Sequence, residues 1–185
     1  MKTVGEKLEA FSIVGVKPGF NNHEENGQSA FEDITEKSFE GKWKIIYFYP
    51  KDFTFVCPTE IVAFAKLNND FADRDAIVLG GSTDNEFVKL AWRREHKDLN
   101  KLNQWQFADV TGSLVDQLGV RDRAAGVALR ATFIVDPEDV IRFVSVNDLS
   151  VGRNPQEVLR VLDALQTDEL CPCNWQKGED VLKAA

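Results

Sequence analysis

One run of the chain, Trp43-Lys44-Ile45-Ile46-Tyr47-Phe48, is bounded by Gly41 before it and Pro50 after it. It is aromatic and β-branched with a single charge, which suits a buried strand, and a helix is expected after it. From Thr59 onward, Ile61, Phe64, Ala65, Asn68 and Phe71 fall near a 3.6-residue period, which predicts a helix ending at the charged cluster Asp73, Arg74 and Asp75. Residues 76–79 read as the next strand, stopped by Gly80 and Gly81.

Asp84 is a candidate N-cap for a helix through Phe87, Leu90 and Ala91, and the polar tract 95–103 reads as a solvated turn. Two strands, 131–135 and 140–146, are separated by Asp136, Pro137, Glu138 and Asp139, which predicts a hairpin. Asn154, Pro155 and Glu157 suit the N-cap, N1 and N3 positions of a last helix, with Val158, Leu159, Val161, Leu162 and Leu165 on its apolar face. Strands alternating with helices, then a hairpin and a closing helix, predict an α/β sandwich with a mixed central sheet, and a thioredoxin-like arrangement fits this order.

At 185 residues the chain is expected to form a single domain over 1–185, with 168–185 as a C-terminal tail. The apolar share of 43% and the 13 Phe supply a core, which excludes a disordered chain. A net charge of -8 argues against a nucleic-acid partner. Residues 1–7 lack an apolar signal region, and no stretch approaches the roughly 18 apolar residues of a membrane span, so a cytoplasmic location without a membrane partner is expected. The three cysteines, Cys57, Cys171 and Cys173, are odd in number and widely spaced, unlike a disulfide-stapled framework.

Cys57 follows the expected strand and opens the expected helix, within Phe48-Tyr49-Pro50-Lys51-Asp52-Phe53-Thr54-Phe55-Val56-Cys57-Pro58-Thr59-Glu60. A helix N-terminus carries about half a positive charge and unpaired N–H donors, which favour a thiolate, the nucleophilic form of the side chain. By position alone Cys57 is as well described as a small buried hydrophobe. Thr54 adds a hydroxyl three residues before it, and Pro50 stiffens the start of the loop.

Pro50, Thr54 and Cys57 together match P-x-x-x-T-x-x-C, and the chain resembles the peroxiredoxins, specifically the typical two-cysteine alkyl hydroperoxide reductases of the three-cysteine, mycobacterial-like type. The resemblance extends through Trp92, the stretch around Arg130, the Val151-Gly152-Arg153-Asn154 segment and the tail Cys171-Pro172-Cys173-Asn174-Trp175. It implies the peroxiredoxin variant of the thioredoxin-like fold and a thiol peroxidase, with no bound cofactor, that reduces hydrogen peroxide and organic hydroperoxides in antioxidant defence. Cys57 would be the attacking thiolate, oxidised to a sulfenic acid, with Thr54 and Arg130 polarising the peroxide. Glu60 would orient the arginine, and Arg153 would be a second arginine near the site.

Cys171, which precedes a Pro and lies four residues before Trp175, matches the family's resolving cysteine, attacking Cys57 of another subunit to form an intersubunit disulfide. A homodimer follows, assembling to a decamer, with a dodecamer as the alternative. The reductant implied is a thiol protein of thioredoxin type, a flavoprotein disulfide reductase or a lipoyl-linked reductase. Cys173 is either an accessory resolver or relay, or a spare thiol. A metal site at Cys171 and Cys173 is not expected, since His23 and His96 are the only histidines and no second close pair completes four ligands. Two features that sensitise eukaryotic relatives to overoxidation, a Gly-Gly-Leu-Gly between Trp92 and Phe107 and a C-terminal Tyr-Phe helix, are not in the sequence, and resistance to excess peroxide is expected.

Two rival functions stand beside this one. A disulfide oxidoreductase would need a second thiol where Glu60 stands. A holdase or ring-forming scaffold would tolerate replacement of Cys57 by Ser, whereas a peroxidase would not.

Overall fold

A computed structural model describes residues 1–183. The expected strand Trp43–Phe48 forms and lies inside a seven-stranded sheet. In chain order the strands are β1 Ser12–Val16, β2 Glu24–Glu25, β3 Gln28–Ser29, β4 Phe31–Thr35, β5 Trp43–Phe48, β6 Ala76–Ser82, β7 Trp105–Ala108, β8 Arg130–Val135 and β9 Ile141–Asn147. The helices are α1 Cys57–Lys66, α2 Asn68–Ala72, α3 Glu86–Glu95, α4 Ser113–Leu118 and α5 Pro155–Leu165. The sheet runs β4-β1-β7-β6-β5-β8-β9, while β2 and β3 pair separately as a short hairpin. Neighbours β5/β6 and β6/β7 are parallel and the other pairs antiparallel, so the sheet is mixed, as the order of elements predicts.

Successive residues of β5 serve opposite faces, because side chains alternate along a strand. Ile45 and Tyr47 pack under α1, α2 and α5 with Ile61, Phe64, Phe71, Val158 and Leu162. Ile46 and Phe48 point the other way, into a core with Phe107, Phe133 and the α4 residues Leu114, Val115 and Leu118. Burial on both faces explains why β5 reads as a continuous rather than an alternating run.

Several boundaries differ from the sequence expectation. The helix foreseen from Thr59 to the Asp73 cluster is broken at Leu67 into α1 and α2. Strand β6 does not stop at Gly80 and Gly81 but runs through them to Ser82. The glycines are needed because a Cβ on Gly80 would lie 2.2 Å from Cζ of Tyr47, and one on Gly81 within 2.4 Å of the Phe107 ring. The cap of α3 is Asn85, whose side chain accepts from the Val88 N–H, whereas Asp84 accepts from the Asp52 N–H. Trp92 lies inside α3, and the tract 95–103 contains a 3-10 turn, Lys97–Leu99, and buries Leu99 and Leu102. The hairpin and the last helix form as expected. Asp136 accepts from the N–H groups of Glu138 and Val140 to close the β8–β9 turn, and Asn154 accepts from the Gln156 N–H to cap α5.

The tail folds back along α5 of its own chain. Trp175 is buried there, its carbonyl accepting from Arg160 Nη1 and its indole N–H donating to Glu179. Lys177 pairs with Asp163, and Leu170 bridges Leu182. Residues 184–185 of the expected tail lie outside the described residues. Among the described residues no helix is long and apolar enough to cross a membrane.

Candidate active site

Strand β5 delivers the chain at Tyr49 to a loop, 50–56, that turns back into α1. Pro50 is buried at its start, and Pro58 occupies the first turn of the helix, where a missing N–H costs nothing. Cys57 is the first residue of α1, and no side chain caps that end, which places the residue at the positive end of the helix dipole. The thiol is 1% exposed, packed among Ile61, Tyr49 and Trp92 in the same apolar cluster.

Across the sheet, Arg130 opens β8 and directs Nη1 to 3.5 Å from Cys57 Sγ. The same nitrogen donates to Glu60 Oε2 at 2.6 Å, and Nε donates to the Leu149 carbonyl at 2.8 Å. Glu60 lies on the turn of α1 that follows Cys57 and receives a second arginine. Arg153 donates through Nε to Oε1 at 2.8 Å and through Nη2 to Oε2 at 2.9 Å, a two-pronged pair. Its Nη1 donates to the Ala131 carbonyl, and its guanidinium lies over the Tyr47 ring at 5.2 Å.

Two guanidinium groups and one carboxylate, all nearly excluded from solvent, leave one positive charge uncompensated. That charge lies beside the sulfur, where Arg130 Nη1 meets Cys57 Sγ. Burial by itself would lower the Arg130 guanidinium, but the hydrogen bond to Cys57 and the charge of Glu60 outweigh it, and the group is held above its ordinary value.

Thr54 is placed on the loop ahead of the cysteine, yet its hydroxyl donates to the Lys51 carbonyl at 3.0 Å. With its proton committed there, the oxygen faces a ligand as an acceptor. The structure thus brings Cys57, Glu60, Arg130 and Arg153 into direct contact, with Pro50 and Thr54 on the adjoining loop. Cys171 and Cys173 are elsewhere. Cys171 is half-buried with Sγ 3.4 Å from Thr167 Oγ1, Cys173 is exposed, and both line a groove with Arg160 beside α5. All three cysteines are free thiols.

Three residues around the site escaped the sequence reading. The Leu149 carbonyl, which fixes Arg130, is a main-chain group that no residue identity announces. Lys89 and Asp52, which meet beneath the loop, are ordinary surface types that only the fold reveals as buried.

Comparison with known proteins accords with this geometry. The AhpC/TSA family profile matches residues 4–144. Alkyl hydroperoxide reductase C of Mycolicibacterium smegmatis is 53% identical over 184 residues, covering 98% of this chain and 94% of that protein. The solved structure of Mycobacterium tuberculosis AhpC superposes with a TM-score of 0.86 at 48% identity, covering 95% of this chain and 99% of the other. That of Plasmodium vivax 2-Cys peroxiredoxin in its reduced form gives 0.88 at 32%, covering 99% and 94%. With a buried cysteine at a helix start, an arginine on its sulfur and near full-length likeness to these proteins, the chain belongs to the AhpC/TSA family of peroxiredoxins.

Proposed function

We propose that this chain is a thiol-dependent peroxidase that reduces hydrogen peroxide and organic hydroperoxides to water and alcohols, in antioxidant defence. The observation that carries it is the 3.5 Å approach of Arg130 Nη1 to Cys57 Sγ at the start of α1. The Cys57 thiolate attacks the distal peroxide oxygen, the O–O bond breaks, and the sulfur keeps the attacked oxygen as a sulfenic acid. The other oxygen leaves as an alkoxide or hydroxide and takes a proton from solvent. Arg130 stabilises the charge that grows on that leaving oxygen, as a donor already in place when the reaction begins. Thr54 accepts from the peroxide O–H, Pro50 holds the loop, and Glu60 and Arg153 keep Arg130 on the sulfur.

The sulfenic acid is then resolved by Cys171 of a second subunit, forming a disulfide and releasing water. A dithiol reductant returns the pair to thiols with two electrons and two protons. It is a protein of thioredoxin type, a flavoprotein disulfide reductase or a lipoyl-linked reductase. Cys173 serves as an accessory thiol. We read 1–185 as one domain with 168–185 as the tail that carries the resolver, acting in the cytoplasm as a homodimer assembled into a decameric ring.

The test is peroxide consumption by the reduced protein with a dithiol in excess. Wild type should consume hydrogen peroxide and cumene hydroperoxide, and Cys57→Ser should not. Equal consumption by the two would overturn the reading and favour a scaffold.

A further inference from the structure

Beneath the loop 50–56 lies a group of buried polar side chains that the chemistry at Cys57 does not use. Lys89 on α3 and Asp52 on the loop face each other with side chains 0% and 1% exposed, Nζ to Oδ1 3.2 Å. Ser82, at the end of β6, joins them. Its hydroxyl donates to Asp52 Oδ1 at 2.8 Å and accepts from Lys89 Nζ at 2.9 Å. The Tyr49 hydroxyl accepts from Lys89 Nζ at 3.4 Å, and the Asp84 carboxylate accepts from the Asp52 main-chain N–H at 2.7 Å.

A buried ion pair is a poor stabiliser, because removing two charges from water costs as much as their attraction returns. What this one does is geometric. It fixes residue 52 from two sides, by side chain to Lys89 and Ser82 and by main chain to Asp84. The next residue, Phe53, is held in the left-handed region at φ 53°, with its ring stacked on Trp92 at 5.7 Å. Lys89 and Trp92 are three apart on α3 and so share one face, one gripping Asp52 and the other Phe53. Thr54 follows immediately, and its place relative to Cys57 is set by these two anchors.

We propose that Lys89, acting through Asp52 and Ser82, is a positioning residue that holds the peroxide-binding loop in register with Cys57. The proposal rests on the peroxidase reading and adds the element that sets its geometry. Lys89 touches no reacting atom.

The test compares two reactions of the same sulfur in a Cys171→Ser/Cys173→Ser background, where Cys57 is the sole thiol. Oxidation by hydrogen peroxide depends on the loop, whereas alkylation by iodoacetamide depends on the sulfur and its access. Asp52→Asn/Lys89→Met removes both charges at similar volume, and its folding is checked by chemical denaturation. The peroxide rate constant is expected to fall about tenfold or more while alkylation stays within about twofold, since small misplacements of a binding group cost rate steeply.

If the double variant does not fold, Ser82→Ala removes only the bridging hydroxyl and is expected to show the same selective loss on a smaller scale. An unchanged peroxide rate, or a parallel fall in both reactions, in the folded double variant or otherwise in Ser82→Ala would overturn the positioning role alone. A wild type alkylated at Cys57 but inert to peroxide would instead overturn the peroxidase reading, and this role with it.

Discussion

Glu60 carries two arginines on one carboxylate, and its side chain is 2% exposed. Replacing it with Gln keeps the shape but leaves two buried cations facing each other. Glu60→Gln should therefore lose about 3 kcal/mol of stability, the cost of breaking a buried pair, as measured by urea unfolding of the reduced protein. Arg130 tests a different property. Its forked guanidinium reaches Leu149, Glu60 and Cys57 together, and Lys offers one compact charge in place of that fork. Arg130→Lys should slow single-turnover oxidation of Cys57 about 100-fold, a typical loss for one preorganised donor. Cys57 at a helix start is visible from residue types and order alone. That Glu60, Arg130 and Arg153 share one cluster, across separations of 70 and 93 positions, comes from family likeness and then from the coordinates, because no local pattern encodes it.

Elements with an unbroken periodic signal were legible in the sequence, and those whose pattern is mixed were not. Strand β5, the β8–β9 hairpin and α5 were all foreseen, the last because its cap and its apolar stripe agree. Strands β4 and β7 are short and mix polar with apolar residues, so they left no clear run, while β1 is a five-residue strand with an apolar run broken by Gly15, whose shortness hides it. Helix α3 conceals its inward face, since Lys89 and Arg93 are among its buried residues. Arg93 is the extreme case, satisfied by Gln106 and by main-chain carbonyls of Val16, Lys17, Phe20 and Gln104, and lowered by burial to about 10. The glycines of β6 make a local prediction. Gly80→Ala, which sets a methyl group into the Tyr47 ring, should cost about 1–3 kcal/mol in the same unfolding assay.

The join between α5 and the tail makes another. Burial alone would raise the Asp163 carboxyl, but its hydrogen bonds from Arg74 and Lys177 outweigh that and hold it below its ordinary value of 3.8. A lowered carboxyl stabilises fully above the unfolded value and loses that contribution as pH falls through the lower folded value. The tail should therefore loosen from α5 only below about pH 4. Tryptophan emission, taken as the difference between wild type and Trp175→Phe, should report that step, and Asp163→Asn should show the loosened state at neutral pH.

At the scale of the whole molecule, the chain holds Cys57 and Cys171 in separate places. Cys57 is enclosed by α1, β8 and the loop after β9, while Cys171 is half-buried beside α5 against Thr167 and Ala164. The proposed function pairs these two thiols across subunits, and all three cysteines are unbonded in the structure. The central claim is that peroxide joins Cys57 of one subunit to Cys171 of another. Its most direct test is non-reducing denaturing electrophoresis with intact mass, on reduced protein given one equivalent of hydrogen peroxide, for wild type, Cys57→Ser and Cys171→Ser. The expected result is a covalent dimer in wild type that is absent from both variants. A wild type that stays monomeric with all its thiols free would contradict the account.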